Sequence, residues 1–232
     1  MILTGADRAR IESAVRAAET RTQGEIYCVV ANESSDYREV TVAWAAIFAL
    51  AAPAILLAAG IQITAPALLN DSWTAAQMTS AAESAARMAL MGAILLQGAL
   101  FIGVAILINA LAPLRRFMTP KSLKAERVGK RAREQFLARN LAATRARTGV
   151  LIYVSVREKM AELIPDDGVS SKVDQHAWDA AMAALVLGLK HKRPAEGFEN
   201  AIARIADILA AHVPAGTGDN PNELSDSVLV LP

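Results

Sequence analysis

The chain has 232 residues, 53% of them hydrophobic, with a mean hydropathy of +0.29 and a formal net charge of +1 at neutral pH. Its single cysteine, Cys28, excludes an internal disulfide and a cysteine-based metal centre, and we expect it to be a buried thiol. The nearly balanced charge gives no reason to expect a nucleic-acid partner, and the length allows one or two domains.

Two long apolar segments dominate the first half of the chain, because residues 40–70 and 88–114 contain no charged side chain. A transmembrane helix needs roughly 20 mainly apolar residues to cross about 30 Å of hydrocarbon, so both segments are long enough. We therefore predict a transmembrane hairpin at 39–114, with an outer loop at 65–87. One span begins at Val40 and ends at Gln62, and the other begins at Met88 and ends at Leu111. Neither span contains an ionisable residue, which argues against an ion or proton pathway.

Basic residues near the span ends predict the orientation. Arg38 precedes the first span and the loop contains only Arg87. Four basic residues follow the second span closely: Arg115, Arg116, Lys121 and Lys124. Cytoplasmic loops are enriched in Lys and Arg, so both termini are expected to face the cytoplasm. Residues 1–22 lack the pattern of a signal peptide, and we expect the first span to direct insertion itself.

The segment after the second span is strongly basic. Residues 115–147 contain eleven Lys or Arg against only Glu126 and Glu134. A basic block beside a span is typical of contact with anionic lipid headgroups, to which each charge contributes about 1 kcal/mol. We expect the four basic residues nearest the span to make that contact. The solvated face of a helix is the alternative interpretation.

The polar flanks contain alternating helix and strand patterns. Amphipathic helices are predicted at 3–23, 120–147, 174–192 and 194–213, and strands at 25–31, 150–156 and 160–164. A lone strand cannot satisfy its backbone groups, so 25–31 should pair with 150–156 in a βαβ unit whose crossover contains the hairpin. This predicts an α/β domain from residues 1–38 and 115–213, with a small mixed sheet and helices on both faces. We expect the tail at 214–232 to be poorly ordered, except that its last residues, 228–231, are apolar enough to dock elsewhere on the protein.

The order of these elements resembles the TPM domain family. The resemblance is carried by Gly24 and Glu25 before the first strand, by TGVLIYVSVREKMAELIPDDGV at 148–169, and by the final helix containing Phe198 and Leu209. It implies a three-layer α/β/α sandwich, in a family that includes thylakoid proteins of photosystem repair and many bacterial membrane proteins. This chain departs from the common arrangement because its spans lie inside the domain. For a bacterial member, the resemblance implies a multi-pass protein of the inner (cytoplasmic) membrane.

Some members of that family are acid phosphatases or bind calcium. The matching acidic loop here contains Asp166 and Asp167, just beyond a strand end, where open α/β sheets tend to place ligands. Glu25 would add a third carboxylate if the fold brings it near, and such oxygen ligands suit Ca²⁺ or Mg²⁺. Two aspartates before a glycine are also typical of an ordinary turn.

Other signatures of catalysis are missing from the sequence, which contains no GxSxG, P-loop or HExxH motif and no cysteine nucleophile arrangement. The three histidines lie near predicted helix ends and are expected to be surface residues: His176, His191 and His212. Ser170 and Ser171 lie near a predicted helix start, where free backbone amides can bind phosphate, although serine is also an ordinary cap.

The sequence favours a membrane protein that displays a cytoplasmic TPM-like domain as a non-catalytic binding or regulatory module. One alternative is a metal-dependent phosphatase. Another is an oligomeric membrane assembly component, because Gly92, Gly98 and Gly103 would let a second helix approach the second span closely. The expected partners are therefore the lipid bilayer, a membrane protein, or further copies of the chain.

Overall fold

The computed structural model describes residues 3–60, 75–215 and 222–232. Two compact units are present: Met1–Asp36 with Lys121–Pro232, and Tyr37–Pro120. The first unit is an α/β domain with a small mixed sheet, as the sequence predicts, and the second is helical.

The α/β domain contains five helices and four strands among its described residues. The helices are α1 (Gly5–Glu19), α5 (Lys121–Ala138), α6 (Asp167–Ser170), α7 (Gln175–Lys190) and α8 (Pro194–His212), and a short 3₁₀ turn covers Leu141–Ala143. The strands are β1 (Glu25–Ala31), β2 (Gly149–Ser155), β3 (Met160–Pro165) and β4 (Leu229–Leu231).

The sheet has the strand order β3-β2-β1-β4. β1 lies parallel to β2, with Glu25 opposite Gly149 and Ala31 opposite Ser155. β3 returns antiparallel to β2 through a tight turn, as the polar residues between the two strands predict. The chain therefore forms the βαβ unit expected from the sequence, with a mixed sheet.

Side chains alternate between two apolar layers on either side of the sheet. Ile26, Cys28 and Val30 point into a core formed with α1, α7 and α8, whereas Tyr27 and Val29 pack towards α5. Each fully buried aliphatic or aromatic side chain contributes roughly 1.5–3 kcal/mol. Every residue of β1 and β2 is buried, because helices cover both faces of these strands.

The apolar end of the C-terminal tail docks on the sheet, at a place that the sequence does not indicate. Leu229–Leu231 forms β4, which pairs in parallel with Val29–Ala31. Without β4, the end of β1 would have water as the partner of its backbone groups on this side. The apolar residues at 228–231 suit that partly buried position. Residues 216–221 of the tail lie outside the described residues.

The basic helix also ends earlier than expected. α5 stops at Ala138, and Asn140 adopts a left-handed conformation with φ of 53°. Asparagine tolerates this conformation better than most residues, so it ends the helix well before the predicted end at Arg147.

The second unit contains α2 (Arg38–Ala58), α3 (Ala75–Ala110) and α4 (Ala112–Met118). α2 includes Pro53 without ending there. α3 is one continuous helix of 36 residues, so the second apolar segment and the alanine-rich stretch before it are not separated by a break. Gln62 and the rest of 61–74 lie outside the described residues.

Two helices are long and apolar enough to cross a membrane. They cover Arg38–Leu56, with a mean hydropathy of 1.9, and Ala86–Ala110, with 2.4. Only 22% and 6% of the respective segments are buried, and large apolar side chains such as Leu50, Leu90 and Leu95 are exposed. The core helix of a soluble protein would bury such residues.

Candidate functional site

The parallel strands define one edge of the sheet as the candidate site. β1, β2 and β4 end at the same edge, and open α/β sheets bind ligands beyond the carboxyl ends of their strands. Residues 32–36 follow β1 there, and residues 156–159 follow β2. The chain between β1 and α2 therefore leaves the domain from this edge.

A buried polar cluster joins these two loops, and we call it the carboxyl-edge cluster: Ser34, Tyr153, Ser155 and Glu158. Ser34 Oγ lies 2.8 Å from Ser155 Oγ, to which it donates, and 2.9 Å from Tyr153 Oη. Ser155 in turn donates to a carboxylate oxygen of Glu158. Because the Ser34 hydroxyl has one proton, Tyr153 must donate to it. The result is a directed chain of hydrogen bonds from Tyr153 to Glu158.

Burial strengthens this cluster. Ser155 is fully buried and Glu158 nearly so, and the other oxygen of Glu158 accepts the Ser34 N–H at 3.3 Å. Desolvation raises the pKa of Tyr153 above its usual value, which keeps the phenol protonated and able to donate. The hydroxyls are hydrogen-bonded to one another, so the cluster as it stands holds the loop after β1 in one position.

Backbone and charge contacts fix the same loop further. Arg157 Nη1 donates to Glu33 Oε2 at 2.7 Å, and Arg157 N donates to the carbonyl of Asn32. Asn32 N donates to the carbonyl of Leu231, so the last strand contributes as well. Three segments distant in sequence meet at this edge.

Sequence reasoning missed the carboxyl-edge cluster. The sequence predicts a polar boundary after the first strand at 32–36 and a tight turn at 157–159, and it gives no contact between them. One usable signal was present, because Ser155 is a polar residue within the otherwise apolar run VLIYVSV.

The acidic loop lies at the opposite edge of the sheet, which corrects the position expected from the sequence. Asp166 and Asp167 do follow a strand end, but that strand, β3, runs antiparallel to its neighbour β2. Asp166 N donates to the carbonyl of Gly149, the first residue of β2. The loop is therefore beside the amino ends of the parallel strands.

The side chain of Arg147 contacts both Asp166 and Asp167. Its Nη2 atom is 3.1 Å from Asp166 Oδ1 and 2.9 Å from Asp167 Oδ2. Asp166 Oδ1 also accepts the N–H of Asp167, which makes Asp166 the cap of the short helix α6. Asp166 is buried, and its Oδ2 atom has no hydrogen-bond partner among the described residues. The guanidinium thus supplies the positive charge that a metal would bring to this loop.

Glu25 has different neighbours from the two aspartates. Its carboxylate oxygens accept the N–H groups of Glu223 and Leu224, at 3.4 and 3.3 Å. Burial raises the pKa of Glu25. Within the described residues, no three His, Cys, Asp or Glu side chains form a group that would hold a metal ion. The metal set of Glu25, Asp166 and Asp167 therefore stays a prediction from the sequence.

The remaining sequence candidates occupy helix ends. Ser171 Oγ donates to the carbonyl of Asp167, and His176 Nδ1 lies 3.9 Å from Asp179. His212 Nδ1 is 2.9 Å from the carbonyl of Ile208, and His191 is exposed after α7.

The four basic residues near the second span divide between two helices. Arg115 and Arg116 lie in α4, where Arg115 Nη1 donates to Asn109 at 3.3 Å. The neighbouring Phe117 is 85% exposed. Lys121 and Lys124 lie in the first turns of α5.

Comparisons with known proteins give a fold likeness. No protein-family model matches the chain, and no curated protein sequence matches it. The fold is similar to the NMR structure of the BA42 protein from the psychrophilic bacterium Bizionia argentinensis, with a TM-score of 0.55 at 17% sequence identity. The alignment covers 99% of this chain and 96% of that protein. At this identity, the likeness concerns the fold alone.

Proposed function

We propose that this chain is an integral membrane protein that displays a TPM-like α/β domain in the cytoplasm and uses it as a non-catalytic binding or regulatory module. The observation that carries the proposal is the surface of α2 and α3. Its large apolar side chains are exposed along both helices, and exposure of so much apolar surface is rare in a soluble protein. A lipid bilayer is the environment that would cover them.

The residues at the end of the second apolar helix support membrane attachment. Phe117 is an exposed aromatic residue next to Arg115 and Arg116, a combination typical of the membrane interface. We propose that these two arginines, with Lys121 and Lys124, contact anionic headgroups. Replacing all four residues by Gln should weaken the binding of the purified chain to anionic relative to zwitterionic nanodiscs.

The hydrogen bonds and ion pairs of the polar side chains support a non-catalytic role. The carboxyl-edge cluster bonds within itself, and Arg147 neutralises the acidic loop. Such arrangements hold loops in fixed positions, and fixed loops suit recognition of a partner.

Membrane insertion and topology can be tested with single cysteines in a Cys28→Ser background. We propose Ala9→Cys and Ser225→Cys for the two polar parts, and Ser72→Cys for the loop between the spans. In intact spheroplasts, an impermeant maleimide should label only the Ser72→Cys variant. Labelling of the Ala9→Cys and Ser225→Cys variants with opposite outcomes would refute the shared cytoplasmic location, and extraction of the chain by alkaline carbonate would refute insertion.

A second candidate function is a metal-dependent phosphatase, favoured by the unpartnered, buried Oδ2 atom of Asp166. A phosphatase would release phosphate from an aryl phosphate in the presence of Ca²⁺ or Mg²⁺, and Asp166→Ala or Asp167→Ala would abolish that release. Equal background rates for all three chains would exclude this activity.

A third candidate is an oligomeric membrane assembly. A Cβ atom added at Gly92, Gly98 or Gly103 would meet nothing within 4 Å, so these glycines leave room on α3 for another helix. Crosslinking in native membranes should give dimers or larger species that Gly98→Leu reduces, and detection of monomers alone would contradict this role.

A further inference from the structure

The outer surface of α7 and α8 forms a groove that the function proposed above does not use. The groove encloses about 820 Å³. Its apolar wall contains Ala180, Ala183, Ala184 and Leu187 from α7, and its polar wall contains Asn200 and Arg204 from α8. Leu187 is 57% exposed and is the largest apolar side chain of this wall.

The packing of α7 against α8 fixes the two walls. Gly188 and Gly197 meet backbone to backbone, because a Cβ atom at Gly188 would lie 2.3 Å from the Cα of Gly197. The α7 wall follows helical spacing from Ala180 to His191, a rise of about 16 Å at 1.5 Å per residue. This length matches about three turns of a helix laid along the groove, and the alanines would let such a helix approach closely.

The groove is lined by Arg193, Arg204 and one acidic residue, Glu196, and further basic residues lie at the end of α7. Lys190, His191, Lys192 and Arg193 follow one another at the end of α7, and Arg204 lies on the polar wall. Glu196 pairs with Arg193 at 2.9 Å. In the part of the chain that the structure describes, the side chains of Lys190, Lys192 and Arg204 form no ion pair or hydrogen bond.

Nearby acids do not neutralise these cations. Glu199 and Asp207 belong to the same helix as Arg204, but Glu199 pairs with Arg10 of α1 and Asp207 pairs with Arg21, which follows α1. The groove therefore keeps a positive rim beside an apolar floor.

We propose that this groove binds an amphipathic helix that carries acidic side chains, supplied by a partner protein. The apolar face of that helix would cover Leu187 and the alanines, and its carboxylates would face Lys192 and Arg204. This inference rests on the proposed binding role and names the surface and the kind of partner.

The test uses the full-length chain in nanodiscs of zwitterionic lipid, against a phage library of 16-residue helical peptides. Selected peptides should combine apolar residues spaced three and four apart with Asp or Glu beside them. We expect Leu187→Glu to weaken their binding at least about tenfold, Arg204→Gln to weaken it about fivefold, and added salt to weaken it further.

Two variants keep the result interpretable. Lys192 has a φ of 59°, so Lys192→Gly removes a charge at a position where glycine is unstrained, and it should weaken binding without loss of fold. Leu137→Glu alters a leucine of α5 that is also exposed, at 68%, and should leave binding unchanged. Circular dichroism of each variant checks folding.

Three outcomes would overturn the proposal: selected peptides without acidic residues, equal binding by the Leu187→Glu variant, or variants that alter binding to anionic vesicles but not to peptides. The last outcome would assign the groove to lipid. Because peptide selection does not depend on topology, its failure is distinguishable from a failure of membrane insertion in the labelling experiment.

Discussion

Replacing Glu19 by Gln is expected to stabilise the α/β domain at alkaline pH and to have little effect at acidic pH. Glu19, at the end of α1, accepts the N–H of Ile26 at 3.0 Å. Burial, together with the nearby carboxylates of Glu25 and Asp226, raises the pKa of Glu19 from 4.5 to about 8. Glu19 is therefore protonated in the folded domain at neutral pH.

The sign of the effect follows from proton binding. Below pH 4.5 the carboxyl group is protonated in both the folded and the unfolded chain, so Glu and Gln behave alike. Between pH 4.5 and about 8 the unfolded chain loses this proton and the folded chain keeps it, so the free energy of unfolding falls as the pH rises. Gln cannot ionise, and its side-chain oxygen still accepts the N–H of Ile26.

The magnitude follows from the gap between the two pKa values. At about 1.36 kcal/mol per pH unit, the gap gives an upper limit of about 5 kcal/mol. Glu19 keeps part of its contact with solvent, which screens its charge, so we expect about 2 kcal/mol at pH 8.5. For a domain of this size, that is a rise in Tm of roughly 4–8 °C.

The assay is thermal unfolding of the full-length chain in detergent at pH 4.5 and pH 8.5, with hydrogen exchange at Ile26 and Leu224 as a local readout. Glu126→Gln, at an exposed site on α5, is the matched control and should change the Tm at neither pH. A Glu19→Gln variant whose Tm gain is the same at both pH values would refute the reasoning, as would a loss of stability at pH 8.5.

Three further changes test the packing. Gly168→Ala should destabilise the domain by about 1–3 kcal/mol in a denaturant titration, because its Cβ atom would lie 2.4 Å from the carbonyl oxygen of Ala146. Ser155→Ala should reduce the free energy of unfolding by about 1–3 kcal/mol, because it removes the hydrogen bond from the buried Ser155 hydroxyl to the Glu158 carboxylate. Deletion of residues 229–232 should speed hydrogen exchange at Asn32, whose N–H donates to the carbonyl of Leu231.

Each change has a control. Gly5→Ala adds a methyl group where nothing lies within 4 Å, so it should not share the effect of Gly168→Ala. Ser225→Ala removes an exposed hydroxyl and should cost less than Ser155→Ala. If exchange at Asn32 is unchanged after the deletion, then β4 does not protect the edge of β1.

The strands and their pairing were predictable because their signals are local and strong. EIYCVVA and GVLIYVS are β-branched and apolar, and each needs a partner for its backbone, so their parallel pairing followed from elimination. The direction of β3 was predicted too. Its consequence, that Asp166 lies at the amino edge of the parallel strands, was not drawn from the sequence.

The carboxyl-edge cluster could not be predicted, because it joins residues far apart in the chain. Ser34 and Ser155 are 121 positions apart in the chain, and the register of the β1–β2 pairing decides whether they come into contact. Leu231 reaches the same edge from the end of the chain. No local sequence pattern predicts these contacts, because they form only when the whole sheet is assembled.

The length of α3 has a consequence for the region outside the bilayer. Its 36 residues extend about 54 Å at 1.5 Å per residue, whereas the hydrocarbon layer is about 30 Å thick. If the segment Ala86–Ala110 crosses the bilayer, then residues 75–85 continue as a rigid stalk of roughly 16 Å beyond it. The exposed Glu83 would then lie outside the hydrocarbon layer, where its charge stays hydrated.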